Sequence, residues 1–450
     1  MINTLLLPEL REMLAEQNAA EMSEFCNSLH PARIAEFMEG LTAEECWQVL
    51  QHADANRRAE IISYFDRDKQ VELVGTQDRD QVAELLSDLP PDDRVDMLDE
   101  VHNDVVDDLL SRMPTEDRRD IMRLRQYPEG TAGSVMTTEF AKLRESLTVR
   151  EALAEIGRQA GQLETIYYLY IVDEDDHLRG LVSARQLVAS MSKPDKKLSD
   201  LMETDLISAN VMEDQEQVAH KVARLDLLAI PVVDQEYRML GIVTHDDVLD
   251  VMREEATEDA HRFGAVDPLD ESYLKTQILT LCWKRGVWLG LLFFFALLTA
   301  FALEAYDERL ETWVWLVPFI PLVISSGGNS GSQSATLIIT ALTQKHITLG
   351  DWARVVRREL MMGLILGGSL ALFGFGVAAL FAPSLRDATV IPITLLLVVL
   401  TGTLSGSLLP LIFKRFGLDP AMMSNPFVAG IVDILGILIY LNVALLILNP

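Results

Sequence analysis

The chain has 450 residues, 49% of them hydrophobic, with a formal net charge of −30, a combination that argues against one soluble domain and for a soluble body followed by a membrane region. The charge is segregated: the chain is net −32 through Tyr273 and net +2 thereafter. So acidic a first half argues against nucleic acid or anionic lipid as a partner and for multivalent cations, because dense carboxylates repel one another until something neutralises them. For any single Asp or Glu, a solvated surface role is explanation enough.

Cys26, Cys46 and Cys282 are widely spaced, without a CxxC pair or a nearby ligand histidine, which speaks against a disulfide framework or a zinc site. The opening MINTLLLPELREML has too short an apolar run and no basic leader for a signal peptide, so the first half is expected to be cytosolic.

Residues 1–127 repeat a short amphipathic pattern: ARIAEFMEGL, RRAEIISYF, DQVAELLSDL, DRVDMLDEV, DVVDDLLSRM and DRRDIMRL. Each unit reads as one helix, several opening at a turn signal such as Leu89-Pro90-Pro91-Asp92-Asp93 or Met113-Pro114-Thr115, where Asp or Thr can cap. Units this short cannot bury a face alone, so they are expected to stack as an all-α helical solenoid. Acidic residues at the helix starts, including Asp92, Asp93, Asp96, Asp99 and Glu100, are largely accounted for by the helix dipole.

From 130 to 252 the periodicity changes and the chain repeats itself. Ile171-Val172-Asp173 and Gly180 recur 61 residues later as Val232-Val233-Asp234 and Gly241. Each copy reads as a buried strand, a charged turn, a second strand, then Ser183 or Thr244 capping a helix. This arrangement resembles a tandem pair of cystathionine beta-synthase (CBS) domains, an α/β regulatory module that often binds adenine nucleotides. The resemblance implies a ribose-binding Asp after the capping hydroxyl. Asp247 matches it in the second copy; the first has Gln186 after Arg185, with Tyr168 offering an aromatic face to a base.

The segment 245–270 reads as a linking helix. Asp247 with Asp250, and Glu254 with Glu258, place like charges on one helix face, which costs a few tenths of a kcal/mol per pair unless a cation bridges them. Mg2+ suits that role because it binds oxygen ligands while keeping several waters. No EF-hand loop is present.

Residues 275–450 hold five candidate spans: about Trp283–Leu303, Trp313–Leu342, Val355–Phe381, Ile391–Phe413 and Met422–Leu448, each long enough for a core of about 30 Å. Lys275, Lys284, Arg285, Lys345, Arg354, Arg357, Arg358, Lys414 and Arg415 fall on one side and Arg309 and Arg386 on the other, placing the N-terminus in the cytoplasm and the C-terminus outside. Within the second span, PFIPLVISSGGNSGSQS combines two prolines with Gly327, Gly328, Asn329, Ser330, Gly331, Ser332, Gln333 and Ser334. Such a stretch is expected either to line a wet cavity with freed backbone or to pack helices closely, with a functional polar lining favoured. Asp433 lies deep in the last span, and no Lys or Arg stands at comparable depth. A carboxylate there costs about 2.5–3.5 kcal/mol on insertion scales and marks an ion path. Glu359, after Arg357 and Arg358, is expected to snorkel to the boundary.

The GGNSGSQSAT and LDPAMMSNP stretches, Asp433, the CBS-like pair and DDVLDVMREEATED together resemble the MgtE family of magnesium channels or transporters over the whole length. The resemblance implies a homodimer in the lipid bilayer of a bacterial inner membrane, with a central pore between the two membrane domains around which Asp433 occurs twice, Asn329 and Asn425 near the ion route, and a linking helix that acts as a plug. It implies Mg2+-sensing positions at Glu60, Asp92 and Asp96, at Asp247, Asp250, Glu255, Glu258 and Asp259, and at Asp419, with ATP as a regulatory ligand at Tyr168, Arg185 and Asp247. Rising internal Mg2+ would neutralise acidic interfaces and close the pore; uptake would run down the electrochemical gradient, with no catalysis. Transport of Co2+, Mn2+ or Ca2+, or a membrane-anchored sensor that conducts nothing, are the competing expectations.

Overall fold

The computed structural model describes residues 5–99, 101–269, 273–274 and 276–448; Glu100 and Lys275 lie outside the described residues. It divides into two compact units, Met1–Arg253 and Glu254–Pro450.

The first unit opens with the helices α1 (Leu7–Glu16), α2 (Ala19–Ser28), α3 (Pro31–Met38), α4 (Ala43–Leu50), α5 (Ala55–Ser63), α6 (Arg67–Thr76), α7 (Arg79–Asp88), α8 (Pro91–Asp99), α9 (Asn103–Arg112) and α10 (Thr115–Leu124). Most pack on the next but one: α2 on α4, α3 on α5, α4 on α6, α5 on α7, α6 on α8, α7 on α9 and α8 on α10. That alternation is the stacking a solenoid of short amphipathic helices requires. Ile34, Met38, Leu50, Ile61, Ile62, Leu73, Leu85 and Leu86 fill its axis, each with at most 1% exposure. Capping differs from expectation at the Pro-started helices. Pro114 occupies the N-cap of α10 without a side-chain bond, and Asp92 and Asp93 lie inside the first turn of α8 behind Pro91. Proline at a helix start is tolerated because its missing N–H would be unpaired there.

The CBS-like region contains β1 (Phe140–Arg144), α11 (Val149–Gln159), β2 (Thr165–Val172), β3 (Leu178–Ser183) and α12 (Ala184–Ala189), then β4 (Ala209–Asn210), α13 (Gln215–Leu225), β5 (Ala229–Val233), β6 (Met239–Thr244) and α14 (His245–Phe263). The sheets run β1-β2-β3 and β4-β5-β6, each with one parallel and one antiparallel pairing. The repeat seen in sequence is a repeat of register: Ile171 pairs Gly180 and Val232 pairs Gly241. Both glycines are required by close approach, since a Cβ at Gly180 would lie 2.6 Å from Met202 Sδ and one at Gly241 2.6 Å from the Thr137 carbonyl. The turns at Asp176 and Tyr237, both at positive φ, join the two halves through Leu178 N–H to Tyr237 O and Met239 N–H to Asp176 O.

The second unit contains the end of α14, then α15 (Ile278–Glu304), the short α16 (Asp307–Thr312), α17 (Ile320–Thr343), α18 (Trp352–Phe381), α19 (Val390–Arg415) and α20 (Asn425–Leu448). Among the described residues, four helices are long and apolar enough to cross a membrane: Ile278–Glu304, Leu349–Phe381, Asp387–Arg415 and Asn425–Leu448. α17 has 24 residues, but its Gly, Ser, Asn and Gln content keeps it out of that set. The two prolines do not break it: Pro318 lies in the 3-10 turn Val314–Phe319 that precedes it and Pro321 in its first turn. α19 is the hub, packing on α17, α18 and α20, while α15 packs on α20.

Candidate cation sites

The GGNSGSQS stretch keeps its helical backbone, so the expectation of freed backbone gives way to close packing by glycine. A Cβ at Gly402 of α19 would stand 2.5 Å from the Gly327 carbonyl, and one at Gly406 only 2.1 Å from the Gly331 carbonyl. Side chains larger than hydrogen cannot occupy these crossings. The inward face of α17 therefore serves packing, and its polar residues distribute by helical period. Ser325, Asn329 and Gln333, four apart, are exposed in the single chain, with Asn329 Nδ2 donating to Ser325 Oγ at 3.1 Å.

Asp433 sits on α20 against this segment. A Cβ at Gly328 would lie 3.1 Å from Asp433 Oδ1 and 3.4 Å from Ala429 Cβ, so the residue before Asn329 must be small for the carboxylate to lie where it does. Asn425, the first residue of α20, is fixed from α17: its carbonyl accepts from Ser332 Oγ and its Oδ1 from Thr336 Oγ1, each at 3.0 Å. Gln333 and Ser325 join Asn329 on the exposed face; spacing of four along the stretch was the signal that could have singled them out.

Glu359 does not snorkel. It is 8% exposed, and Ser334 Oγ donates to its Oε2 at 2.7 Å, while Arg357 and Arg358 beside it are exposed. One helical turn after Val355, Glu359 falls on the buried face of α18, where a boundary reading from neighbouring charges alone does not place it.

On the linking helix, Glu258 is bridged within its own segment: Arg262 donates to both Glu258 and Asp419. A protein cation thus occupies part of the like-charged face that was expected to await Mg2+. Phe263, next along, packs against the cluster of Ala335, Ile339, Ala421, Met423, Val428 and Val432. Asp419 also caps the turn Pro420–Met422 through Ala421 N–H at 2.8 Å. Glu255 and Asp259 are half-buried.

In the first unit the structure brings Asp92, Asp93, Asp247 and Glu164 under one electrostatic influence. Burial, then Asp247, Asp93 and Glu164, hold Asp92 well above the ordinary carboxylate range, and one of its oxygens has no hydrogen-bond partner. Asp93 is pushed up to about 7 by burial, then Asp247 and Asp96. Glu164 is pushed up to about 7 by desolvation, then Asp247 and Asp246. Asp247 is raised by burial, against the bonds it accepts from Thr244 and with Asp246 and Asp250 adding repulsion. Carboxylates this crowded are a poor arrangement without a cation. Asp93, read from the sequence only as a helix-start acid, and Glu164 were not among the expected Mg2+ positions; Glu164 lies in a loop with no pattern to mark it.

A cavity of about 690 Å³ opens beside this group, lined among others by Glu60, Asp88, Asp93, Glu139, Glu164 and Asp246. Glu60 there pairs with Arg57 at 3.0 Å, and Asp250, exposed, lies 3.5 Å from Arg253. Asp96 is exposed. No three His, Cys, Asp or Glu side chains among the described residues are gathered closely enough to hold a metal, so the expected Mg2+ ligands form an acidic field rather than a finished coordination shell.

The nucleotide positions are dispersed by role. Tyr168 pairs with Ser183 across β2 and β3 and packs on the core around Tyr170; Arg185 is exposed. Gln186 and Asp247 do the same local work, each closing onto its capping hydroxyl, Ser183 or Thr244. Cys26 and Cys46 are buried thiols pushed up to about 11 and about 12 by burial, and Cys282 is exposed, all three free.

Comparison with known proteins agrees with this division. The chain matches the models for the MgtE intracellular N domain over residues 29–130, the CBS domain over 132–193 and 198–254, and the MgtE divalent cation transporter over 320–443. It is 40% identical over 330 residues to the magnesium transporter MgtE of Thermus thermophilus, covering 73% of each chain, and 35% identical to that of Enterococcus faecalis, covering 72% of this chain and 71% of the relative. Similar solved structures include the soluble part of a magnesium transporter (31% identity, TM-score 0.52, 55% of this chain and 97% of that one) and the cytosolic domain of the Mg2+ channel MgtE in complex with ATP (33%, 0.50, 54% and 98%). With these three models matched in turn along it and a 40% identical magnesium transporter covered over 73% of its length, the chain belongs to the MgtE family of magnesium transporters.

Proposed function

We propose that this chain is a Mg2+ uptake channel of the cell membrane, working as a homodimer with five spans per copy, α17 being the fifth, with its N-terminus in the cytoplasm and its C-terminus outside. The observation that carries the reading is the placement of Asp433 against Gly328, one residue from the exposed polar face of Ser325, Asn329 and Gln333. A polar face and a carboxylate are costly against lipid; facing a second copy, they would line a wet path. Hydrated Mg2+ gives up water reluctantly, so a carboxylate from each copy with amide side chains of Asn329 and Asn425 recognises the hydrated ion and holds it loosely enough to pass. Movement is inward, down the electrochemical gradient.

Gating rests on the acidic field. Without cations, Asp92, Asp93, Asp247 and Glu164 repel; Mg2+ relieves that repulsion and favours the compact state, so its differential affinity sets the gate. Glu60, Asp96, Asp250, Glu255, Glu258, Asp259 and Asp419 extend this sensing surface, and the linking helix, whose Phe263 seats on the α17 and α20 cluster, serves as the plug. ATP is a regulatory ligand of the CBS pair at Tyr168, Arg185 and Asp247, a reading supported by the ATP complex of the related cytosolic domain.

The test is flux into liposomes holding purified protein. Asp433→Ala abolishes Mg2+ uptake while the protein still inserts, and Asp433→Asn impairs it. Combined Asn or Gln substitution of Asp247, Asp250, Glu255, Glu258 and Asp259 raises flux at high internal Mg2+. Wild-type flux from well-folded Asp433→Ala protein sinks the pore assignment. Competition with Co2+, Mn2+ and Ca2+ ranks the cargo, and absence of any ion flux returns the membrane-anchored sensor.

A further inference from the structure

We infer that Glu359 is a positioning residue for transport, fixing the rotation of α17 through Ser334. Its carboxylate is 8% exposed and Ser334 is 5% exposed, with Ser334 Oγ donating to Glu359 Oε2 at 2.7 Å. The two residues belong to α18 and α17, both of which pack on the hub helix α19. Small residues make the reach possible. Gly363, one turn after Glu359, has no room for a Cβ, which would lie 2.7 Å from Thr403 Oγ1; Gly402 and Gly406 let α17 lie directly on α19. Thr403 adds a contact at the crossing, its hydroxyl 3.4 Å from the Glu359 carbonyl.

The buried face of α18 otherwise consists of Val355, Gly363, Gly367, Gly374 and Ala378. A carboxylate in that row is expensive in an apolar region and has a purpose only through what it binds. What it binds is the inward face of the polar helix. At about 100° per residue, Ser334 and Asn329 project about 140° apart, so an acceptor that holds Ser334 inward holds Asn329 on the open face with Ser325 and Gln333. Without it, α17 keeps the bonds of Ser332 and Thr336 to Asn425 and of Lys414 to the Leu342 carbonyl, but its Ser334 side loses its tie to α18.

This inference rests on the reading of Asn329 and Asp433 as members of the ion route. Full-length protein in liposomes tests it. Glu359→Ala and Ser334→Ala insert normally but lower Mg2+ flux about tenfold, the size expected for losing a hydrogen bond to a charged group, and lose discrimination between Mg2+ and Ca2+. Glu359→Gln retains both, because its amide carbonyl still accepts from Ser334. In an Asn329→Ala background, Glu359→Ala adds little, since both act through one group. Wild-type rate and discrimination in Glu359→Ala, a Glu359→Gln defect equal to that of Glu359→Ala, or full additivity with Asn329→Ala each overturn the assignment. If Glu359→Ala fails to assemble, Ser334→Ala decides alone: wild-type behaviour refutes. Should Asn329→Ala and Asp433→Asn leave flux unchanged, it is the route that fails, not the tie between α18 and α17.

Discussion

Arg262 donates to Asp419 from the last turn of the linking helix, and the same guanidinium donates to Glu258 one turn earlier. Each of the three side chains is about one-third exposed, so the contact is neither a screened surface pair nor a dry one. It makes Arg262 a tethered competitor for the carboxylates through which Mg2+ is proposed to act. Arg262→Gln is expected to weaken the ion-free contact by about 1 kcal/mol, raising flux at trace internal Mg2+ roughly two- to fivefold, while saturating Mg2+ still closes the pore. A flux titration in liposomes reads both limits. Loss of closure at saturating Mg2+ would show the guanidinium to be part of the closed contact rather than a stand-in for the ion.

Gly328→Ala places a methyl 3.1 Å from Asp433 Oδ1 and 3.4 Å from Ala429 Cβ, so the carboxylate must move a few tenths of an ångström. Mg2+ flux and Mg2+ over Ca2+ preference are expected to fall, with stability changed by less than about 1 kcal/mol. Gly376→Ala, whose added methyl meets nothing within 4 Å, is the control and behaves as wild type. The outcome separates a pore wall from a packing surface: equal flux in both variants would leave Gly328 a packing glycine only.

These two sites mark how far the sequence could be read. Periodicity revealed the helical stack and the CBS repeat down to register, because both depend on local spacing and burial that side-chain type reports directly. Asp433 stood out because one charge in an apolar run needs no partner to be noticed. Arg262 did not, since it lies 157 residues from Asp419 and pairing across that separation leaves no local pattern. Glu359 was misplaced for a related reason: its sequence neighbours Arg357 and Arg358 point elsewhere on the helix, and its actual partner Ser334 is 25 residues away. The helical backbone through Gly327 and Gly328 escaped because glycine favours irregular backbone in isolation, whereas here close approach to α19 supplies the reason for it.

Among the described residues of the first unit, Arg94 is the buried cation. Its guanidinium donates to the carbonyls of Leu89 at 2.6 Å and Ser87 at 2.9 Å and stands 3.5 Å from both Asp117 and Glu139. Removing it takes the partner from two carbonyls and from two partly exposed carboxylates at once. Arg94→Ala is expected to destabilise this unit by about 1.5–3 kcal/mol, read as a lower urea midpoint. Arg112→Ala, at an exposed pair with Asp80 and Asp108, is expected to cost less than about 1 kcal/mol. A midpoint for Arg94→Ala within error of Arg112→Ala would refute the buried role.

The acidic field also fixes the sign of a pH dependence. Asp93 and Glu164 titrate near 7 in the folded unit, against ordinary values of 3.8 and 4.5. A carboxyl whose folded value is raised favours the folded state while protonated; its contribution is fully present below the ordinary value and is lost as pH rises through about 7. Thermal stability of the first unit in chelator is therefore expected to be higher at about pH 5.5 than at about pH 8, opposite to what paired carboxylates alone produce. Asp173 and Asp176, held below the ordinary range in large part by bonds to His177 and Lys142, pull the other way only at lower pH, outside that window. Saturating Mg2+ should remove most of the difference by neutralising the same groups at pH 8, and Asp93→Asn should flatten the profile without any ion. Each kcal/mol corresponds to about 2–4 °C for a unit of this size, so the shift is within reach of differential scanning fluorimetry. A melting temperature that rises from pH 5.5 to pH 8 in chelator would mean that these carboxylates do not repel one another in the folded unit, and the gating scheme would lose its source of energy.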